Sequence, residues 1–176
     1  MPQLADPNFR RSVVLVVHHD ADSTFGLVLN REVDLSLREL CESLDFEWRG
    51  GADAEVGWGG PVEANTGWLL FQGGLETAIE AETEGVSCIA GDLCFASSLE
   101  VLRQLVLRPP QDLRVFLGYA GWGQGQLEME LAQGAWVVAP LSPESIFDVP
   151  VDRMWEHVLR EMKIDPVTLI STAGVH

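Results

Sequence analysis

The feature that most constrains this chain is the run Gly118-Tyr119-Ala120-Gly121-Trp122-Gly123-Gln124-Gly125-Gln126-Leu127-Glu128-Met129-Glu130-Leu131. An apolar stretch, Leu113 to Leu117, feeds into it, and a helical pattern with a polar face leaves it. Glycine tolerates positive φ and lets another backbone or a ligand come close, at an entropic cost. Four glycines around a tyrosine and a tryptophan therefore read as a shaped surface rather than a plain turn. Glycines opening a helix also present N–H groups and the positive end of the macrodipole to an anion. The run is nevertheless not a dinucleotide fingerprint, because Gln126 stands where the third glycine belongs, nor a P-loop, because no Lys-Ser/Thr follows. A tight structural turn explains the same residues without a ligand.

A second cluster, Val56-Gly57-Trp58-Gly59-Gly60-Pro61-Val62, repeats the Gly-Trp-Gly tripeptide. Asn30-Arg31 ends an apolar strand, where an Arg beside an Asn can hold a carboxylate through two hydrogen bonds. An internal salt bridge would use the same arginine. The ligand-binding candidates are thus Asn30, Arg31, Trp58, Gly59, Gly60, Gly121, Trp122, Gln126 and Glu128. Glu128 and Glu130 suit the first turns of a helix, where negative charge is stabilised. Two residues apart, they point to different faces, whereas Gln126 and Glu130 share one. His18 and His19 end a strand, so their rings point to opposite sides and do not chelate one metal together. His19 with Glu128 or Asp22 is the candidate acid–base pair for an enzyme such as a hydrolase. It requires imidazole and carboxylate within hydrogen-bond reach at a cleft. No metal or cofactor is expected.

Charge narrows the partners. Eleven basic residues against 27 acidic ones leave a net charge of −16. Nucleic-acid binding relies on cations neutralising phosphates, so neither direct DNA contact nor an anionic membrane surface is expected. No apolar run approaches the roughly 18 residues of a membrane span. Val13 to Val17 is cut short by His18-His19-Asp20, which suits a buried strand better than a signal peptide. Cys41, Cys88 and Cys94 match no metal or redox spacing and read as reduced, mostly buried thiols of a cytoplasmic protein.

In order, Ser12–Val17 and Phe25–Arg31 predict a hairpin. Asp34 is expected to cap a helix carrying Leu35, Leu37, Leu40, Cys41 and Leu44. A strand follows at Trp68–Phe71, and the acidic region from Gly73 to Gly85 reads as a solvated, mobile loop. Two short strands flank Gly91-Asp92, at Val86–Ile89 and Leu93–Phe95. Ser97 or Ser98 caps a helix that Pro109-Pro110 stops. A strand over Leu113–Tyr119, a helix over Gln124–Gln133 and a strand over Ala135–Ala139 come next. Val151, Met154, Trp155, Val158, Leu159 and Met162 then recur at helical spacing after Pro150, with Glu156 and Arg160 as an i,i+4 pair. The tail from Val167 is expected to fray. Hairpins with interspersed helices argue for one α+β domain over residues 1–176, its sheet mostly antiparallel or mixed.

Taken together, Leu4 to Phe9, Phe25 to Arg31, Gly59-Gly60-Pro61-Val62 and Gly118 to Glu130 with Trp136 and Phe147 resemble the AlgH/YqgE family of bacterial proteins. The likeness runs from Leu4 to about Lys163. It implies a compact α+β fold with barrel-like sheets and no established activity; a transcriptional-regulator label attaches to the family. Its pattern falls on His19, Gly26, Asn30, Gly59, Gly60, Pro61, Gly118, Tyr119, Gly121, Trp122, Gly125, Gln126, Leu127 and Glu128. Asp20, Ser23 and Glu32 depart from it, where Asn, Gly and Pro are usual, which loosens the turn before Gly26. The expected role is that of a non-enzymatic binding or regulatory protein. Its pocket, for a small molecule or a partner protein, would lie near the two Gly-Trp-Gly clusters, and Trp122→Ala would abolish capture while sparing the fold. Regulation would act indirectly.

Overall fold

The computed structural model describes residues 7–73 and 85–171. Leu4 to Asp6, most of the acidic loop after Gly73 and the last five residues of the tail lie outside the described residues. Eight strands form one sheet: β1 (Val14–His19), β2 (Ser23–Val28), β3 (Glu32–Ser36), β4 (Glu55–Trp58), β5 (Val62–Gln72), β6 (Val86–Ala90), β7 (Leu93–Ala96) and β8 (Asp112–Gly123). Six α-helices accompany them among the described residues: α1 (Leu37–Ser43), α2 (Leu99–Leu107), α3 (Gln126–Ala132), α4 (Pro143–Phe147), α5 (Val151–Glu161) and α6 (Pro166–Ser171). The sheet order is β1-β2-β8-β5-β7-β6, with β3 joined to β4 and β4 lying parallel to β8. All other pairings are antiparallel, and the sheet curls into a nearly closed barrel, an α+β fold.

β8 is the axis of this arrangement. Its first two thirds pair with β5, its last residues pair with β2, and Phe116-Leu117 lie beside Gly57-Trp58 of β4. Side chains alternate across a strand, so β5 and β8 feed two cores. Leu69, Phe71 and Val115 face one with α1 and α2, while Leu70 and Phe116 face the other with Ile146 of α4 and Met154 of α5. Arg114 ties the layers together: its Nη2 donates to Leu29 O at 2.7 Å and its Nη1 to Ile146 O at 3.2 Å. Burial pushes its guanidinium down to about 10, still charged at neutral pH, with Glu32 opposing the shift.

Four expectations are corrected. Ser36, not Asp34, caps α1, because its hydroxyl accepts from the Glu39 N–H while Glu39 returns a bond to the Ser36 N–H; Asp34 is inside β3, which claims the preceding residues. Ala135–Ala139 forms no strand. β-propensity depends on a neighbouring strand to pair with, and this segment crosses a cavity instead. Gly121-Trp122-Gly123 is not a turn but the end of β8, paired with Ser23–Phe25 of β2. Finally, Cys88 and Cys94 stand opposite each other across the β6–β7 hairpin and are disulfide-bonded, so the reading of three reduced thiols fails. Cys41 is free and buried, and burial pushes its thiol up. The hairpin β1–β2, the helix capped by Ser98 and the amphipathic α5 with its Glu156–Arg160 pair at 3.0 Å match expectation. Among the described residues no helix is long and apolar enough to cross a membrane.

Candidate functional site

The glycines of the two Trp-centred segments serve first to bring backbones together. Gly60, at φ +152°, and Gly118, at φ +71°, face one another. A Cβ on Gly60 would fall 2.1 Å from the carbonyl carbon of Tyr119, and one on Gly118 would fall 2.3 Å from Gly60 O. Gly59 is pressed on Gly118 in the same way, since a Cβ on it would fall 2.2 Å from Gly118 O. The visitor these glycines admit is the chain's own main chain. The contact seats the β4–β5 turn against β8, and as a result Trp58 and Trp122 pack on one cluster with Val28, Ala120, Phe9 and Trp136.

Glu130 organises what lies beside that cluster. Trp122 Nε1 donates to its Oε2 at 3.0 Å and Trp136 Nε1 at 2.7 Å, while Gln126 Nε2 donates to its Oε1 at 3.0 Å. Gln126 Oε1 in turn accepts from the Gly123 N–H at 3.1 Å. Both indole N–H groups are thus satisfied by one carboxylate, and the rings keep their carbon faces for packing, edge to face with centroids 5.8 Å apart. Along those rings runs a cavity of about 600 Å³. Its walls are Val13 and β1 (Val14 to Val16), α3 (Leu127, Leu131), the extended segment Trp136 to Leu141, α4 (Ser145, Ile146) and α5 (Met154, Val158). Val16, Val137, Val138 and Leu141 are exposed at its rim.

Asn30 and Arg31 lie elsewhere. Asn30 Oδ1 accepts from Val13 N at 2.8 Å and its Nδ2 donates to Arg11 O at 2.9 Å, so the side chain pins the start of β1. Arg31 Nη2 donates to Arg10 O at 3.0 Å, and its guanidinium lies 5.8 Å from the Trp58 ring centroid. Together with Arg10, Arg11, Trp155, Asp152 and Glu156 they line a separate polar cleft of about 280 Å³. Glu128 turns away to His19, with Oε1 3.4 Å from Nε2. The other ring nitrogen of His19 is 2.7 Å from Thr24 Oγ1, and Thr24 is buried. Neither His19 nor Glu128 lines either hollow. His18 pairs instead with Asp20, whose carboxylate also accepts from the N–H groups of Ser23 and Asp22; these bonds, the backbone ones foremost, hold it down at about 2.

Of the sequence candidates, Trp122 lines the large cavity and Gln126 supports it through Glu130, whereas Asn30 and Arg31 share the second cleft. Gly59 and Gly60 are framework, and a Cβ added to Gly121 would fall 3.3 Å from the edge of the Tyr119 ring. Sequence reasoning missed Trp136, Trp155, Arg10 and Arg11 as members of these sites, and reached Glu130 only through the helix face that it shares with Gln126. The one visible signal was Trp136-Val137-Val138, an apolar run that Pro140 keeps out of a sheet interior.

The chain matches the AlgH-like family model over residues 1–167. It is 37% identical to a UPF0301 protein of Anaeromyxobacter dehalogenans, covering 98% of this chain and 89% of that one. To a UPF0301 protein of Myxococcus xanthus it is 36% identical, covering 100% and 94%. The solution structure of the AlgH protein from Pseudomonas aeruginosa superposes with a TM-score of 0.76 at 31% identity, over 100% of this chain and 91% of that one. A crystal structure from Corynebacterium diphtheriae gives 0.71 at 25% identity, over 99% and 87%. By fold, by residues matched and by full-length likeness, this chain belongs to the AlgH-like family.

Proposed function

We propose that this chain is a binding protein whose site is the 600 Å³ cavity beside Trp122 and Trp136, taking a largely apolar small molecule. The observation that carries this reading is the pairing of two indoles whose N–H groups are already spent on Glu130, so that what they turn to the hollow is hydrocarbon. Sites for small molecules are concave, mostly apolar and of about 300–1,000 Å³, and this one is of that kind. A regulatory effect would pass through occupancy and a protein partner, since a net charge of −16 opposes direct contact with DNA.

Trp122→Ala is a poor test, because Trp122 is 6% exposed and the change removes core packing worth about 3–5 kcal/mol. The rim offers a cleaner one. Val137→Trp, at an exposed position on the cavity wall, is expected to block uptake of the neutral apolar dye Nile red without lowering the melting temperature. If the parent protein shows no saturable dye binding, or the variant binds unchanged, the cavity is not the site.

A second reading, hydrolysis by His19 with Glu128, has their 3.4 Å approach and the Thr24 contact that orients the ring in its favour, and their place outside both hollows against it. It predicts ester hydrolysis that His19→Asn removes; activity equal in the two proteins ends it.

A further inference from the structure

The geometry points to a short apolar peptide as the occupant of the large cavity, bound as an added strand on the free edge of β1. This rests on the binding role proposed above and supplies the class of ligand. Val14 of β1 packs with the tryptophan cluster, while Leu15 packs with Leu27 and Met154 on the other face of the strand. Both line the cavity, together with Ser12, Val13 and Val16. A hollow that touches both faces of a strand runs along its edge. Ile89 of β6 lines it too, and β6 stands at the opposite end of the sheet order. The cavity therefore lies at the seam where the barrel falls short of closing.

That edge carries unused hydrogen bonds. Among the described residues β1 pairs with β2 alone. The Leu29 N–H donates to Val13 O at 2.8 Å, whereas the Val28 N–H turns away from β1 to Gly59 O. Antiparallel residues alternate between bonded and non-bonded pairs, so Leu15 bonds to β2 while Val14 and Val16 aim their N–H and C=O groups outward. A second stretch of the wall is in the same condition. The main chain of Trp136 to Leu141 is in neither helix nor strand, and no hydrogen bond reaches it among the described residues. Its valines suit a strand that has no partner to pair with.

Unpaired N–H and C=O groups on an edge are a template for another strand. A peptide added there draws affinity from main-chain bonds and selectivity from pockets for its alternate side chains. The wall offers Val13 to Val16, so about four guest residues face it at roughly 3.3 Å each. Among the described residues the polar side chains of the lining are those of Ser12, Ser142 and Ser145, beside the two indoles, so the guest's side chains are apolar. The net charge of −16 favours lysines at its ends over acidic residues.

Displacement of Nile red from the full chain by acetyl-Lys-Val-Ile-Val-Ala-Lys-amide tests this. The peptide is expected to compete, and a version with glutamates in place of the lysines to compete about fivefold more weakly at low salt. N-methylation keeps every side chain but removes strand donors. Of two doubly N-methylated peptides, one changed at its second and fourth residues and one at its third and fifth, at least one should lose about twentyfold, the worth of two main-chain bonds. Val16→Pro removes an outward N–H that β2 does not use, a place where an edge strand accepts proline. It should weaken the parent peptide about fivefold and move the melting temperature by less than about 4 °C. The added strand is wrong, and an apolar site remains, if the parent peptide leaves bound dye in place, if both N-methylated peptides compete as well as the parent, or if folded Val16→Pro binds it unchanged. If the dye itself does not bind, both readings fall.

Discussion

At the scale of single residues, Glu130 decides more than any tryptophan. Its two oxygens accept from Trp122, Trp136 and Gln126, so Glu130→Ala strands two indole donors in half-buried surroundings. An unsatisfied buried donor costs about 1–3 kcal/mol, and we expect Glu130→Ala to lower unfolding free energy by about 2–4 kcal/mol in urea titration. Glu130→Gln keeps an acceptor and should lose about half as much. Equal losses would mean that shape, not acceptance, is what position 130 supplies. The pairing of Gln126 with Glu130 was foreseeable from the i,i+4 spacing. Their service to two distant indoles was not, because it depends on where β8 and the segment after α3 meet.

At the scale of elements, the Gly60–Gly118 crossing and the β1–β2 turn each make a claim. Gly60→Ala and Gly118→Ala would force a Cβ to within 2.1 Å and 2.3 Å of backbone atoms. Each should cost about 3 kcal/mol or more, the size associated with strain at a special φ combined with overpacking. Gly67→Ala, with nothing within 4 Å of the added carbon, should stay within about 0.5 kcal/mol by the same chemical denaturation. In the hairpin turn, Asp20 is held at about 2 against an ordinary 3.8. A carboxylate depressed in the folded state adds stability above its unfolded pKa, and that share is lost as pH falls through the folded value. Asp20→Asn should therefore lower the melting temperature at neutral pH, have much less effect at pH 2, and so flatten the fall between pH 4 and pH 2. An acid limb unchanged by the substitution contradicts the bonding seen at that turn. The disulfide makes a further claim: in the intact protein alkylation should reach one cysteine, Cys41, and only after unfolding, since it is buried and the other two are joined.

At the scale of the whole molecule, the net charge of −16 predicts no salt-dependent retardation of duplex DNA even at low ionic strength, and a shift at 50 mM salt that disappears at 200 mM would refute it. Local pattern was enough for much of the architecture. Alternation and turn residues marked the β1–β2 and β6–β7 hairpins, and apolar spacing marked α2 and α5, because these signals concern neighbours in sequence. The same reasoning extended Ala135–Ala139 into a strand and stopped β8 at Tyr119. Both errors concern whether a partner strand is present, which no local window contains. The Gly-Trp-Gly echo was legible as a place where something approaches closely. That the something is Gly60 meeting Gly118, with the open space instead running from Trp122 to Trp155, was settled only in three dimensions. Covalent order fixes what each residue prefers and which residues repeat; packing of segments distant along the chain fixes which preferences are honoured and where a hollow is left between them.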